Sequence, residues 1–184
     1  MNEILKSITE RYTCRDFADT RLTDEQVRKL VDAALAAPSA RNLQPWHITV
    51  VTDKKIIDEL DVAGVAILAE DEDKTFYNTM MERGGKMFYN APCAIIVTHN
   101  GSSWGDLDSG ILCQNVVLAA SSLGLGTCIV GMLRVPLAGP KGEEFKKRLK
   151  FKDGYKFAIG VLIGTEKSGK APHEPDHSKV TYIN

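Results

Sequence analysis

The chain has 184 residues, 43% of them hydrophobic and 26% charged, with 23 Lys and Arg against 24 Asp and Glu for a formal net charge of −1. That composition describes one soluble domain, long enough to bury roughly 70% of the surface its unfolded form exposes without disulfide or metal staples. The balanced charge gives no field for a nucleic-acid backbone. No stretch approaches the roughly 20 apolar residues of a membrane span, and the acidic start Met1-Asn2-Glu3 is unlike a secretory signal.

Cys14, Cys93, Cys113 and Cys128 lie far apart with no C-x-x-C pair, which reads as reduced thiols of a cytoplasmic protein. In chain order, Asn2 caps a first helix whose Ile4, Leu5, Ile8 and Tyr12 form one apolar stripe, expected to dock on the core and to end near Arg11. Thr23-Asp24-Glu25-Gln26 is a capping box, followed at helical spacing by Val27, Leu30, Val31, Ala34 and Leu35 and stopped by Pro38. Ile48-Thr49-Val50-Val51 predicts a strand, and Asp53 caps a helix through Ile56, Ile57 and Leu60. Gly64 to Gly85 has helical propensity without firm boundaries. Ala94 to Thr98 is apolar as a strand buried on both faces would be.

Asp106 or Asp108 is expected to cap a long helix through Ile111, Leu112, Val116, Leu118 and Ala119, ending at the Gly124-Leu125-Gly126 break. Apolar on most sides, that helix belongs in the core or an interface. Gly142 to Lys150 predicts a short amphipathic helix and Phe157 to Ile163 another buried strand. Val180-Thr181-Tyr182-Ile183 is a strand-like tail, ordered only if it joins a sheet edge of its own chain or of a partner. Helices and strands interspersed in this way give one three-layer α/β or α+β domain over residues 1–184.

Three formal motifs fail on context. Gly101-Ser102-Ser103-Trp104-Gly105 fits G-x-S-x-G, with Asp153 and His173 or His177 in triad order behind Ser103. His99 and Asn100, however, separate the motif from its strand, and no Gly-rich oxyanion segment precedes it. His173-Glu174-Pro175-Asp176-His177 fits the zinc motif H-E-x-x-H, but Pro172 and Pro175 oppose the continuous helix that zinc ligation needs, so no metal is expected. Gly124-Leu125-Gly126-Thr127-Cys128-Ile129 lacks the third glycine of G-x-G-x-x-G and follows a helix instead of a strand.

Two other clusters carry more. Arg11-Tyr12-Thr13-Cys14-Arg15 sets two guanidiniums and hydroxyls where helix 1 ends, a group able to make charge-assisted bonds to phosphate; a solvated helix end has the same spacing. Pro38-Ser39-Ala40-Arg41-Asn42-Leu43-Gln44-Pro45-Trp46 places neutral polar groups on rigid backbone, which suits a polyol or planar heterocycle and equally an interface loop.

At these residues the sequence resembles the nitroreductase family: the R-x-[ST]-x-[RK]-x-F stretch from Arg11, the A-P-S-x-x-N-x-Q-P-W run from Ala37, and the late Leu123-Gly124-Leu125-Gly126-Thr127-Cys128 turn. The resemblance implies an α+β, three-layer α/β/α fold around a mostly antiparallel sheet, an intertwined homodimer, and FMN as cofactor. It implies hydride transfer from NADH or NADPH through FMN N5 to nitroaromatics, quinones or other flat acceptors by a ping-pong route, with no catalytic side chain required. Carried over by residue, Arg11, Tyr12, Thr13 and Arg15 hold the phosphate and ribityl, and Arg15 or Lys86 lies near the N1/O2 edge. Pro38 and Ser39 reach the other subunit's flavin, with Asn42 and Gln44 as polar neighbours. Ile129-Val130-Gly131 forms a turn whose Val130 and Gly131 amides face N5 and O4.

The family's usual tail Arg is missing. Lys170 or His173 is expected to substitute at the phosphate, within a tail, 166–184, that extends over the partner. Neutral His binds phosphate less strongly than Arg, so FMN affinity is expected to fall as His173 deprotonates. Specialised uses of the same scaffold, such as reductive dehalogenation or a flavin-related oxidase, and a non-catalytic flavin-binding protein are the alternatives, with a serine hydrolase using Ser103 as a remote one.

Overall fold

The computed structural model describes residues 2–183 as one sheet between two helical layers. Strands β1 (Trp46–Val51), β2 (Cys93–His99), β3 (Gly126–Val130) and β4 (Lys156–Gly164) are ordered β1-β2-β4-β3, and every neighbouring pair is antiparallel. All seven residues of β2 are buried, because it is central and covered on both faces.

Alternation along the strands divides the core in two. Ala94, Ile96, Leu162 and Val130 face a layer made by α3 (Lys54–Glu70), α4 (Thr75–Glu82), α6 (Arg134–Ala138) and α7 (Gly142–Arg148). Ile95, Val97, Val161 and Ile163 face α2 (Asp24–Leu35), through Leu30 and Ala34, and α5 (Gly105–Ser122), through Leu112, Val116 and Ala120. At roughly 25 cal/mol per Å² of apolar area, these two clusters supply the main drive to fold.

Local signals account for several boundaries. Thr23 and Gln26 form the reciprocal capping box of α2, with Thr23 Oγ1 accepting from Gln26 N at 3.2 Å. Asp53 caps α3 by accepting from Lys55 N at 3.0 Å. The region between Gly64 and Gly85 resolves into the end of α3 and the short α4.

Three expectations are corrected, and a fourth, the tail, meets no strand among the described residues. Helix α1 (Glu3–Glu10) is capped by Asn2 as predicted but buries no residue: Ile4 is 67% exposed, and of the stripe only Tyr12, just past the helix, packs against the core. Neither Asp106 nor Asp108 caps α5; Trp104 is the N-cap residue and both aspartates lie in the first turn, used elsewhere. Gly126–Val130 is a strand, so Ile129 and Val130 belong to β3 and the turn begins only at Gly131. The tail at Val180–Ile183 pairs with no strand among the described residues, and Tyr182 is 81% exposed.

Residues 12–18 run beside β3 and the exit of β4. Cys14 N donates to Thr127 O at 2.8 Å in a parallel bridge, Ala18 N donates to Thr165 O at 2.8 Å, and Lys167 N donates to Asp16 O at 3.0 Å. Through these bonds the first polar cluster is held against the β3 side of the sheet. No helix among the described residues is long and apolar enough to cross a membrane.

Candidate functional site at the free edge of the sheet

Arg11 ends α1, and Tyr12, Thr13 and Arg15 follow along the outer edge of β3. Thr13 is bridged to Thr127, and Tyr12 Oη donates to the Glu166 carboxylate, with the Ser168 carbonyl 3.3 Å away. Neither Arg11 nor Arg15 makes an ion pair among the described residues, so both guanidiniums are available to an anion. Burial pushes the Cys14 thiol up, and burial holds Cys128 at about 11 against the opposing pull of Arg15. Both thiols are thereby held in the protonated form more firmly than an exposed cysteine.

Further along β3, the backbone supplies the donors. Thr127 O accepts from Cys14, so Thr127 points away from β4, and alternation turns Ile129 and then Gly131 the same way. Val130 pairs with Gly160 and directs its amide into the sheet, so of the expected Val130 and Gly131 pair only Gly131 faces the open side, joined by Ile129. A Cβ built on Gly131 meets nothing within 4 Å, and the Ile129 side chain is 43% exposed on the α2/α5 face. Thr13 lies level with Thr127, four residues from Gly131, which is about 13 Å at the strand rise.

The second cluster is a strap around a short 3-10 turn, Ala40–Asn42, leading into β1. Arg41, Asn42 and Gln44 all have positive φ, at 55°, 54° and 44°, a conformation that costs each non-glycine residue of order 1 kcal/mol and persists only when surroundings enforce it. Three bonds do so. Ser39 Oγ accepts from Gln44 N at 2.9 Å, Asn42 Oδ1 accepts from Gln44 Nε2 at 3.1 Å, and Asp108 Oδ1 on α5 accepts from Ala40 N at 3.1 Å. Asp108 is buried, and its Oδ2 has no partner among the described residues. Asp108 was legible only as a helix-start residue; its tether to Ala40 spans 68 positions and has no local signal.

Within one chain the two clusters do not meet. Arg11–Arg15 follow β3 at one edge of the sheet, whereas Pro38–Gln44 lead into β1 at the other, with β4 and β2 between them. Lys170 and His173 lie exposed in the tail and make no side-chain hydrogen bond or ion pair among the described residues. Lys86 sits in the loop after α4, fixed by its neighbours Met87 and Phe88, whose amides donate to buried Asp61 at 3.1 and 2.9 Å.

The competing motifs dissolve. Ser103 makes no side-chain hydrogen bond among the described residues, and the histidine nearest in sequence, buried His99, instead approaches Asp106 at 3.2 Å and accepts from Gly101 N at 3.2 Å. His173 to His177 is extended until a 3-10 turn starts at His177, so the two histidines share no helix face. No group of three or more potential ligands that could hold a metal ion occurs among the described residues.

The sequence pattern of the nitroreductase family matches residues 8–165, spanning both clusters and all four strands. The chain belongs to the nitroreductase family. A solved nitroreductase with bound FMN from Desulfitobacterium hafniense DCB-2 is 44% identical, covers 100% of both chains and superposes with a TM-score of 0.97. An FMN-dependent nitroreductase from Clostridium difficile R20291 is 28% identical over 99% of each chain, with a TM-score of 0.82. Among curated nitroreductase relatives, the FMN reductase [NAD(P)H] of Bacillus subtilis (strain 168) is 30% identical over 100% of this chain and 76% of its own length. The α+β architecture expected from the sequence is thus the nitroreductase fold.

Proposed function

We propose that this protein is an FMN-dependent oxidoreductase that takes reducing equivalents from NADH or NADPH and passes them to flat acceptors such as nitroaromatics or quinones. The observation that carries this reading is the β3 edge: two guanidiniums with no ion pair among the described residues at one end, and the outward amides of Ile129 and Gly131 about 7 and 13 Å along the strand from Thr127. That arrangement fits FMN from phosphate to ring. Arg11, Thr13 and Arg15 would hold the phosphate end, and Gly131, with open space above it, would meet the polar edge of the ring.

When bound, FMN supplies the hydride chemistry, and donor and acceptor taking turns in one slot gives ping-pong kinetics. The chain's part is electrostatic and steric. Its edge amides would stabilise negative charge at the ring, and the strap of the other subunit would exclude water from one side. No side chain has to move a proton.

The separation of the two clusters on opposite sheet edges supports a homodimer in which Pro38 and Ser39 of one subunit complete the site on the other. Two exposed apolar groups, Leu107 and Ile111 on α5 beside the strap and Ile4, Leu5 and Ile8 on α1, suit that contact. The exposed Val180–Ile183 tail and the free edge of β1 are complementary in the same way, one a β-rich segment and the other a row of unpaired backbone groups. Lys170 and His173 would then meet the phosphate once the tail lies over the partner.

FMN titration of apo-protein, followed by flavin fluorescence and sedimentation, tests this assignment. One FMN per chain on a dimer is expected, with affinity weakened by Arg11→Ala and Arg15→Ala. A monomer binding no FMN would refute it.

A further inference from the structure

A groove of about 810 Å³ lies between α3 and the α6–α7 pair, in the helical layer on the opposite side of the sheet from α5 and the strap. Its walls are Val62, Ala66 and Ile67 on α3 and Pro136, Pro140 and Phe145 across from them. The trough exists because small residues stand where larger ones would fill it, and Val62 is 65% exposed over it. The proposed reaction uses none of these residues.

The charges around the groove are unevenly spent. Asp58 is engaged by Lys54 at 2.8 Å, while Glu59 and Glu144 both pair with Arg148, the latter at 3.7 Å. The lining therefore carries four cations against three carboxylates, a surplus of one positive charge, and Lys55 and Lys141 are the two cations with no ion pair among the described residues. Both line the groove together with Glu59, whose carboxyl is held below the usual range first by its bond from Arg148 and further by these two lysines. An apolar trough of ligand-sized volume with unspent positive charge at its lip selects for an apolar body carrying an anion.

We propose that this groove binds a small amphiphilic carboxylate, its chain or ring laid between α3 and α6–α7 and its carboxylate at Lys55 and Lys141. Two free ammoniums on flexible stems can reach one carboxylate without desolvating it, while the apolar body leaves water at about 0.8 kcal/mol per buried CH₂. The site is separate from the β3 edge and stands whether or not the flavin reading holds.

Titrating the protein as purified with decanoate by calorimetry, with sedimentation alongside, tests the proposal. Saturable binding of one decanoate per chain is expected, with the oligomeric state unchanged and decan-1-ol at least about tenfold weaker. The Lys55→Glu/Lys141→Glu double variant should lose at least about tenfold in affinity. Val62→Glu, a substitution at an exposed position, should abolish binding while the fold survives. Three results would overturn it: no saturable binding, affinity unchanged in both variants, or decanoate that binds only by splitting an oligomer, which would assign the groove to a second copy of the chain.

Discussion

Replacing Asp108 by alanine removes the carboxylate that accepts from Ala40 N and holds the strap to α5. A hydrogen bond to a charged acceptor contributes about 1.5–3 kcal/mol. Folding stability should change by less than that, because the variant also removes a buried carboxylate whose Oδ2 lacks a partner. The strap itself has more to gain by relaxing. Arg41, Asn42 and Gln44 each hold a left-handed conformation, together about 3 kcal/mol of strain released if the turn opens. A strap that opens no longer presents Ser39 and Asn42 in one geometry, so FMN affinity in Asp108→Ala should fall about tenfold or more, at 1.4 kcal/mol per decade. Asp108→Asn keeps an acceptor for Ala40 N and should stay within about threefold of the parent. Flavin-fluorescence titration of the dimeric apo-proteins measures both. A folded, dimeric Asp108→Ala that binds FMN as tightly as the parent would refute the role given to the strap.

Asp61→Ala leaves the buried Met87 and Phe88 amides without their acceptor, and at about 1–3 kcal/mol each should lower stability by about 2–6 kcal/mol. Urea unfolding measures it, and a loss under about 1 kcal/mol would contradict the anchoring role. Burial first, and the Lys152 charge second, hold His47 below its ordinary value. The unfolded chain then takes up a proton near pH 6.5 that the folded one refuses, so the His47 contribution is complete above that pH and is lost as pH falls through the folded value. His47→Gln should flatten the acid side of the stability profile, and an unchanged slope would refute this. Burial pushes Cys93 and Cys113 up to about 12 and Cys128 up to about 11. Iodoacetamide at pH 8 should therefore leave these three unmodified in the native protein and alkylate them after denaturation, as read by mass spectrometry; rapid native labelling would be the contrary result.

Elements with strong local chemistry were readable in advance. The Thr23–Gln26 box, the Asp53 cap and the unbroken apolar runs of β2 and β4 each state their element within a few residues. What was not readable depends on distant partners. Strand β3 is five residues long and begins at a glycine after a helix break, and only pairing with β4 and the Cys14 bond make it a strand. Helix α1 shows a clear stripe, yet none of its residues is buried within the chain, and the local pattern does not say what the stripe packs against. Among site residues, Arg11 to Arg15 and Pro38 to Gln44 were recognisable as polar groups on rigid or charged segments. The choice of Ile129 over Val130 as an outward amide depends on which neighbour β3 pairs with, and local residue types do not encode that.

Anaerobic visible spectroscopy of the FMN-reconstituted protein tests the central claim most directly: a spectrum before and after stoichiometric NADH, the same with NADPH, then addition of a quinone. The account predicts a bound-flavin spectrum that bleaches with at least one donor and returns with the acceptor. Flavin that binds but is reduced by neither donor would contradict it.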